Sequence, residues 1–147
     1  MPAAAKRDAN ASRPDGARDD PRPANGQRFP RAVRLLHRAE FDAIYRDGRR
    51  RASKHFAVLV RPNGRGWSRF GSSVKRALGG AVVRNRIRRR IREILRLHLQ
   101  EIAPGWDVVI HPRSSVATAA FTTLSQDLLG VLRATLQDVP PPRPAAR

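Results

Sequence analysis

Val82-Val83-Arg84-Asn85-Arg86-Ile87-Arg88-Arg89-Arg90-Ile91-Arg92 is the stretch that decides how this chain folds. Six of the nine residues from Arg84 to Arg92 are arginine, yet the aliphatic residues keep helical spacing. At about 100° per residue, Val83, Ile87, Ile91, Ile94 and His98 share one face. Arg84, Arg88, Arg92 and Arg96 form a stripe beside it, widened by Asn85 and Arg89, while Arg86 and Arg90 flank the apolar seam on its other side. Such a helix buries one narrow face and turns a broad guanidinium surface to solvent. Guanidinium is planar, permanently charged and forks onto phosphate with two hydrogen bonds, so the surface suits a nucleic-acid backbone. A solvated helix with no partner is the plainer alternative, but so many arginines with few acids beside them repel one another.

The spacing predicts a helical segment from Ala81 to about Ile102, and shorter elements surround it. Upstream, Phe41, Ile44 and Tyr45 fall at i, i+3, i+4 in a short helix over Ala39–Arg46, with Gly48 as its stop. His55–Arg61 and Arg69–Val74 read as strands, paired as an antiparallel hairpin through a loose loop containing Gly64 and Gly66. Trp106–His111 reads as a third strand. A last helix, capped by Ser115 or Thr118 and running to Gln137, would bury Phe121, Leu124, Leu128, Leu129 and Leu132. Strands interrupted by helices over this length imply an α+β sandwich with its helices on one sheet face.

The 147 residues carry 30 Lys+Arg against 12 Asp+Glu, a net charge of +18, and no cysteine. Disulfide scaffolds, cysteine-ligated zinc, iron–sulfur clusters and thiol nucleophiles are thereby excluded. No apolar run reaches the roughly 18–20 residues that span a bilayer, and the absence of an apolar leader segment makes the expected location cytoplasmic. Residues 1–30, with five of the twelve prolines and a net charge of +2, read as a disordered tail, as does the Pro-rich stretch 138–147. Residues 31–137 therefore hold +15, so the charge belongs to the folded part and calls for a shaped polyanion partner.

A helix-turn-helix needs a helix before its recognition helix. Here a strand and Gly79-Gly80 precede the arginine helix. The glycine pair brings backbone N–H groups to a phosphate or makes a plain strand-to-helix turn; both readings stay open.

Phe70-Gly71-Ser72-Ser73-Val74-Lys75-Arg76, followed by Gly79-Gly80 and the stretch from Ala81 to Glu93, resembles the signature of the bacterial ribonuclease P protein component, whose Arg-Asn-Arg core is called the RNR motif. Arg34-Leu35-Leu36 and Glu40-Phe41-Asp42-Ala43-Ile44-Tyr45 with Gly48 match the start of that family at the expected distance, so the resemblance spans about residues 31–135. It implies a small two-layer α+β sandwich of ribosomal-protein type, in α-β-β-β-α-β-α-like order on a mixed sheet, with a left-handed crossover around the RNR helix. The role that the resemblance implies is that of protein subunit in an endoribonuclease that removes the 5′ leader of precursor tRNA. The catalytic RNA would do the chemistry with Mg²⁺ held mainly by RNA and substrate, one protein would serve one RNA, and no organic cofactor or membrane would be involved.

By position, the resemblance assigns Arg84, Asn85, Arg86, Arg88, Arg89 and Arg92 to the RNA-facing motif. Phe41 and Tyr45 match aromatic positions of the leader cleft, with Phe56 on its strand floor. Plain helix-to-sheet packing is the other reading of Phe41 and Tyr45. Arg49, Arg50, Arg51 and Lys54 make a second basic cluster that tracks RNA backbone or is a solvated turn; Lys75 and Arg76 add further basic contacts. The chain departs from the family where Ala77 follows Lys75-Arg76 and where Gly80 replaces an asparagine.

A nuclease with its own active site needs metal-holding carboxylates or a paired acid and base. The seven acids of residues 31–137 (Glu40, Asp42, Asp47, Glu93, Glu101, Asp107 and Asp127) are scattered, and His37, His55, His98 and His111 lie on separate elements. No catalytic or metal-ligating residue is therefore expected. A ribosome-associated RNA-binding protein would use the same basic helix, but it leaves the aromatic helix before the strands unexplained.

Overall fold

The isoleucine seam needs an apolar surface to lie on, and four strands supply it. The computed structural model describes residues 30–138; the expected tails, apart from Pro30 and Asp138, lie outside the described residues. Three helices, α1 (Arg38–Asp47), α2 (Ala81–His98) and α3 (Phe121–Asp138), accompany strands β1 (Arg49–Ala52), β2 (Phe56–Pro62), β3 (Arg69–Ser72) and β4 (Trp106–Pro112). The chain order is thus α1-β1-β2-β3-α2-β4-α3, with short 3-10 turns between elements.

The sheet runs β1-β2-β4-β3, antiparallel between β1 and β2 and between β2 and β4, and parallel between β3 and β4. The expected β2–β3 hairpin does not form. Central strands are buried on both faces, and β2 and β4 are the two with long apolar runs, so they pair with each other. The short β3, with Gly71, is left at an edge. A parallel β3–β4 pair requires a long crossover, and α2 provides it.

Alternation along the central strands builds two cores. Phe56, Val58, Val60, Val108, Ile110 and Phe70 point to one face, where Ile87, Ile91, Ile94 and Leu95 of α2 and Leu124, Leu128 and Leu132 of α3 cover them. Leu59 and Val109 point to the other face and meet Leu35, Ile44 and Phe41. Helices therefore cover both faces rather than one: α2 and α3 lie beneath the sheet and α1 above it.

Helix ends have local causes. Glu40 Oε1 accepts from the backbone N–H groups of Leu36 and His37, both at 3.0 Å, which fastens the start of α1. The start of α3 differs from expectation. Ser115 lies in the 3-10 turn Ser114–Ala117 with Thr118 just beyond, and Ala120 accepts the first helical hydrogen bond, from Leu124 N. Arg90 fastens the turn ahead of the helix instead: its Nη1 donates to the carbonyls of Val116 (2.8 Å) and Ala119 (2.7 Å). Asp127 of α3 accepts from Ser53 Oγ (2.8 Å) and His55 N (2.9 Å), tying the β1–β2 turn to the lower helix layer.

Candidate nucleic-acid interface

The arginine helix starts where Gly79 adopts φ 147°, a conformation that suits glycine; a Cβ there would also press on Val83 at 2.9 Å. Arg84 bends back to donate from Nε to the Gly79 carbonyl at 3.1 Å. Asn85, Arg86, Arg89 and Arg92 stand exposed, while Arg84, Arg88 and Arg90 are half-buried. Arg88 Nη1 donates to Asn85 Oδ1 at 2.9 Å, so these two side chains are held together before any ligand arrives. Asn85, Arg88, Arg89 and Arg92 border one hollow with Val82. Arg86 and Arg89 border another, with Phe121 of α3 as its apolar floor. The two hollows share Arg89, so the basic surface wraps round the exposed side of α2.

That surface runs into a cleft. Arg88 and Arg92 of α2 line it together with Arg34, Leu35, Leu36 and Phe41 and with Gly71 and Ser72 of β3, around a volume of about 220 Å³. Phe41 comes this close because Gly71 has no side chain. Further along α1, Tyr45 is 43 % exposed and its ring lies 5.5 Å from that of His111 on β4. Burial, and then the charges of Lys75 and Arg50, push the His111 imidazole below its ordinary pKa. α1 itself is fixed to the sheet by charge: Arg69 reaches Glu40 at 2.7 Å and Asp107 at 2.7 and 2.9 Å.

Phe56 is not part of this cleft. It is fully buried in the main core, on the face opposite Phe41 and Tyr45. Side chains alternate along a strand, and the β2 residues that share the α1 face are Ala57 and Leu59. The Arg49–Arg51 cluster is also divided. It forms the exposed edge strand β1 rather than a turn, with Arg50 opposite Leu59 and Arg49 and Arg51 opposite Val60 and Val58. Charged side chains on an edge strand discourage pairing with other chains. Lys54, Lys75 and Arg76 are exposed in the flanking turns.

A family profile described as Ribonuclease P matches residues 29–135. The chain belongs to the ribonuclease P protein family. The ribonuclease P protein component of Roseiflexus castenholzii is 44% identical over 117 residues, covering 75% of this chain and 96% of that one. That of Thermotoga maritima is 37% identical over 109 residues, covering 71% and 93%. Among solved structures, the ribonuclease P protein of T. maritima superposes with TM-score 0.65 at 36% identity, covering 69% of this chain and 96% of that one. The Staphylococcus aureus protein gives 0.64 at 31%, covering 71% and 95%. The α+β fold with its four-stranded mixed sheet is thus that of ribonuclease P proteins.

Within this family member, sequence reasoning missed Gly71 as a cleft residue, and Leu59 and His111 as the sheet residues that lie under α1. Residue parity on β2 and β4 is the signal that finds them, once Phe41 is known to lie above the sheet. Among the described residues no cluster of three His, Asp or Glu is placed to hold a metal ion. The seven carboxylates of residues 31–137 are engaged elsewhere: Glu40 and Asp107 by Arg69, Asp127 by Ser53 and His55, Asp42 by Arg38, Asp47 by Arg46 and Arg61, Glu93 by Arg96, and Glu101 by His98. That donor set fits salt bridges and helix ends rather than a resident Mg²⁺. Among the described residues no helix is long and apolar enough to cross a membrane.

Proposed function

We propose that this chain is the protein subunit of ribonuclease P, binding the catalytic RNA through the RNR helix α2 and the 5′ leader of precursor tRNA in the cleft beneath α1. One observation carries the reading: Arg88 and Arg92 of the RNR helix line the same cleft as Phe41. A strand of RNA lying there would meet phosphate-binding guanidinium groups and an aromatic face together. Stacking tolerates any base, which suits a leader of variable sequence.

The chain's own residues bind and orient in this scheme. Arg84, Asn85, Arg86, Arg89 and Arg92 hold RNA phosphates, with Arg49, Arg50, Arg51, Lys54, Lys75 and Arg76 extending the positive field that draws RNA in. The endonucleolytic step, which yields the mature tRNA 5′ end, is assigned to the RNA subunit with its Mg²⁺. One protein per RNA, acting in the cytoplasm, completes the proposal.

The test combines the purified chain, the catalytic RNA and a precursor tRNA at low Mg²⁺. Faster cleavage or tighter substrate binding on adding the chain is expected; no gain in either overturns the reading. Phe41→Ala should weaken long-leader substrates more than leaderless ones, and equal loss on both would assign Phe41 to packing alone.

A further inference from the structure

We infer that the open groove around Trp67 is a second single-stranded RNA site, taking leader nucleotides that lie beyond the cleft of Phe41. The inference rests on the leader reading above and extends it to a surface outside the cleft. The groove, of about 470 Å³, adjoins the Phe41 cleft, and Arg34 and Leu36 line both. A strand leaving one therefore passes directly into the other.

The groove is built around a fixed ring. Trp67 is half-buried, packs partly against the main core, and donates from Nε1 to the Ala32 carbonyl at 3.3 Å. Asn63 braces the loop that carries it: its Nδ2 donates to the Trp67 carbonyl at 3.2 Å, and its Oδ1 accepts from Arg65 N at 2.8 Å. This places the Arg65 guanidinium over the indole, 5.8 Å from the ring centre. A nucleobase can stack on the guanidinium or take its place over the ring.

Charge selects RNA as the occupant. Arg31 and Arg65 stand exposed at the groove, and its one acid, Glu40, is already engaged by Arg69 and by the backbone of Leu36 and His37. Continuity with the cleft selects the leader over the catalytic RNA. A platform of this kind reads no base edge, so it adds affinity with leader length rather than with leader sequence.

The experiment measures affinity of the holoenzyme, assembled from the full chain and the catalytic RNA, for precursor tRNAs with no leader, a short leader and a long leader. Trp67→Ala and Arg65→Ala should each weaken the long-leader substrate about tenfold and leave the other two unchanged. Arg65 is exposed, so its variant keeps the test valid if Trp67→Ala fails to fold. The long leader should also quench tryptophan fluorescence in the wild type and not in Trp67→Phe, because the other tryptophan, Trp106, is buried. Equal losses across the three substrates overturn the inference, as does weaker association with the catalytic RNA alone. Phe41→Ala, run in parallel, separates the two ideas. If it is leader-dependent while the Trp67 variants are not, only the second site fails; if it is leader-independent, the cleft reading fails.

Discussion

Phe41 sits directly over Gly71: a Cβ added at Gly71 would come within 2.6 Å of Phe41 Cζ and 2.9 Å of its Cε1. The aromatic wall of the cleft is therefore seated on bare backbone at the edge strand. Gly71→Ala should push the ring outward, costing about 1–3 kcal/mol of stability by overpacking. It should also reduce the leader-dependent part of substrate affinity, as Phe41→Ala does. Urea denaturation gives the first quantity and binding with and without a leader gives the second. Unchanged stability would mean that α1 lifts freely from the sheet.

Arg69 holds α1 down through Glu40 and is itself held by Asp107, which is 3 % exposed. Hydrogen bonds from Arg69 to Asp107 outweigh desolvation and, with the two carboxylate charges, raise the pKa of Arg69. Removing it by Arg69→Ala leaves the buried Asp107 carboxylate without a counter-charge and with only the Asn63 amide donating to it at 2.9 Å, at a cost of about 3–5 kcal/mol. Glu40→Gln leaves Asp107 paired and should cost much less. A thermal melt of both variants separates the two; equal losses would show that the α1 contact, not the Asp107 pair, dominates.

Glu40 also sets an acid limit. Burial opposes its ionisation, but the N–H groups of His37 and Leu36 and the charge of Arg69 together hold its pKa below the ordinary glutamate value. A carboxyl with a depressed folded pKa stabilises fully above its unfolded pKa and loses that contribution as pH falls through the folded one. The wild type should therefore lose more stability than Glu40→Gln as pH drops from about 5, where unfolded glutamate is ionised, toward about 3 in denaturant titrations. Parallel curves would remove Glu40 from the account.

Most of the frame is readable because periodicity is strong where one face is buried. The isoleucine spacing of α2, the stop at Gly48 and the apolar stretches of β2 and β4 all appear in the structure within a few residues of their expected ends. Strand order is not readable. β2 and β4 are buried on both faces, so no alternation marks which side meets which helix, and the resemblance puts Phe56 on the wrong one. Nor does Arg49-Arg50-Arg51-Ala52 carry an apolar signal; it is a strand because β2 offers it hydrogen bonds. The cleft depends on these non-local choices, so its aromatic helix is legible while its floor is not.

Arginines that look alike along α2 should separate under mutation. Arg86 and Arg89 are exposed, so Arg86→Ala with Arg89→Ala should leave folding intact and weaken association with the catalytic RNA. The slope of log affinity against log salt should fall by about 1.8 if both meet duplex phosphates. Arg90 instead holds the Val116 and Ala119 carbonyls, so Arg90→Ala should lower stability by about 1–3 kcal/mol and leave the slope nearly unchanged. Salt-dependent binding and melts of the two proteins check this; an unchanged slope in the double variant would count against phosphate contacts.

His111, on the sheet face under α1, gives the fold a pH response of opposite chemistry to that of Glu40 but the same sign. Burial lowers its pKa first, with Lys75 and Arg50 adding to the shift. The unfolded chain therefore binds a proton at His111 before the folded one does. Stability is complete above the unfolded histidine value of about 6.5 and declines as pH falls from there toward the folded value. Removing the neighbouring charge by Lys75→Ala should raise the His111 pKa only partway toward the ordinary value, because burial beneath Tyr45 remains. NMR titration of the imidazole reads this directly. Full recovery would make charge, not burial, the main cause, and no change would place Lys75 outside the field that His111 feels.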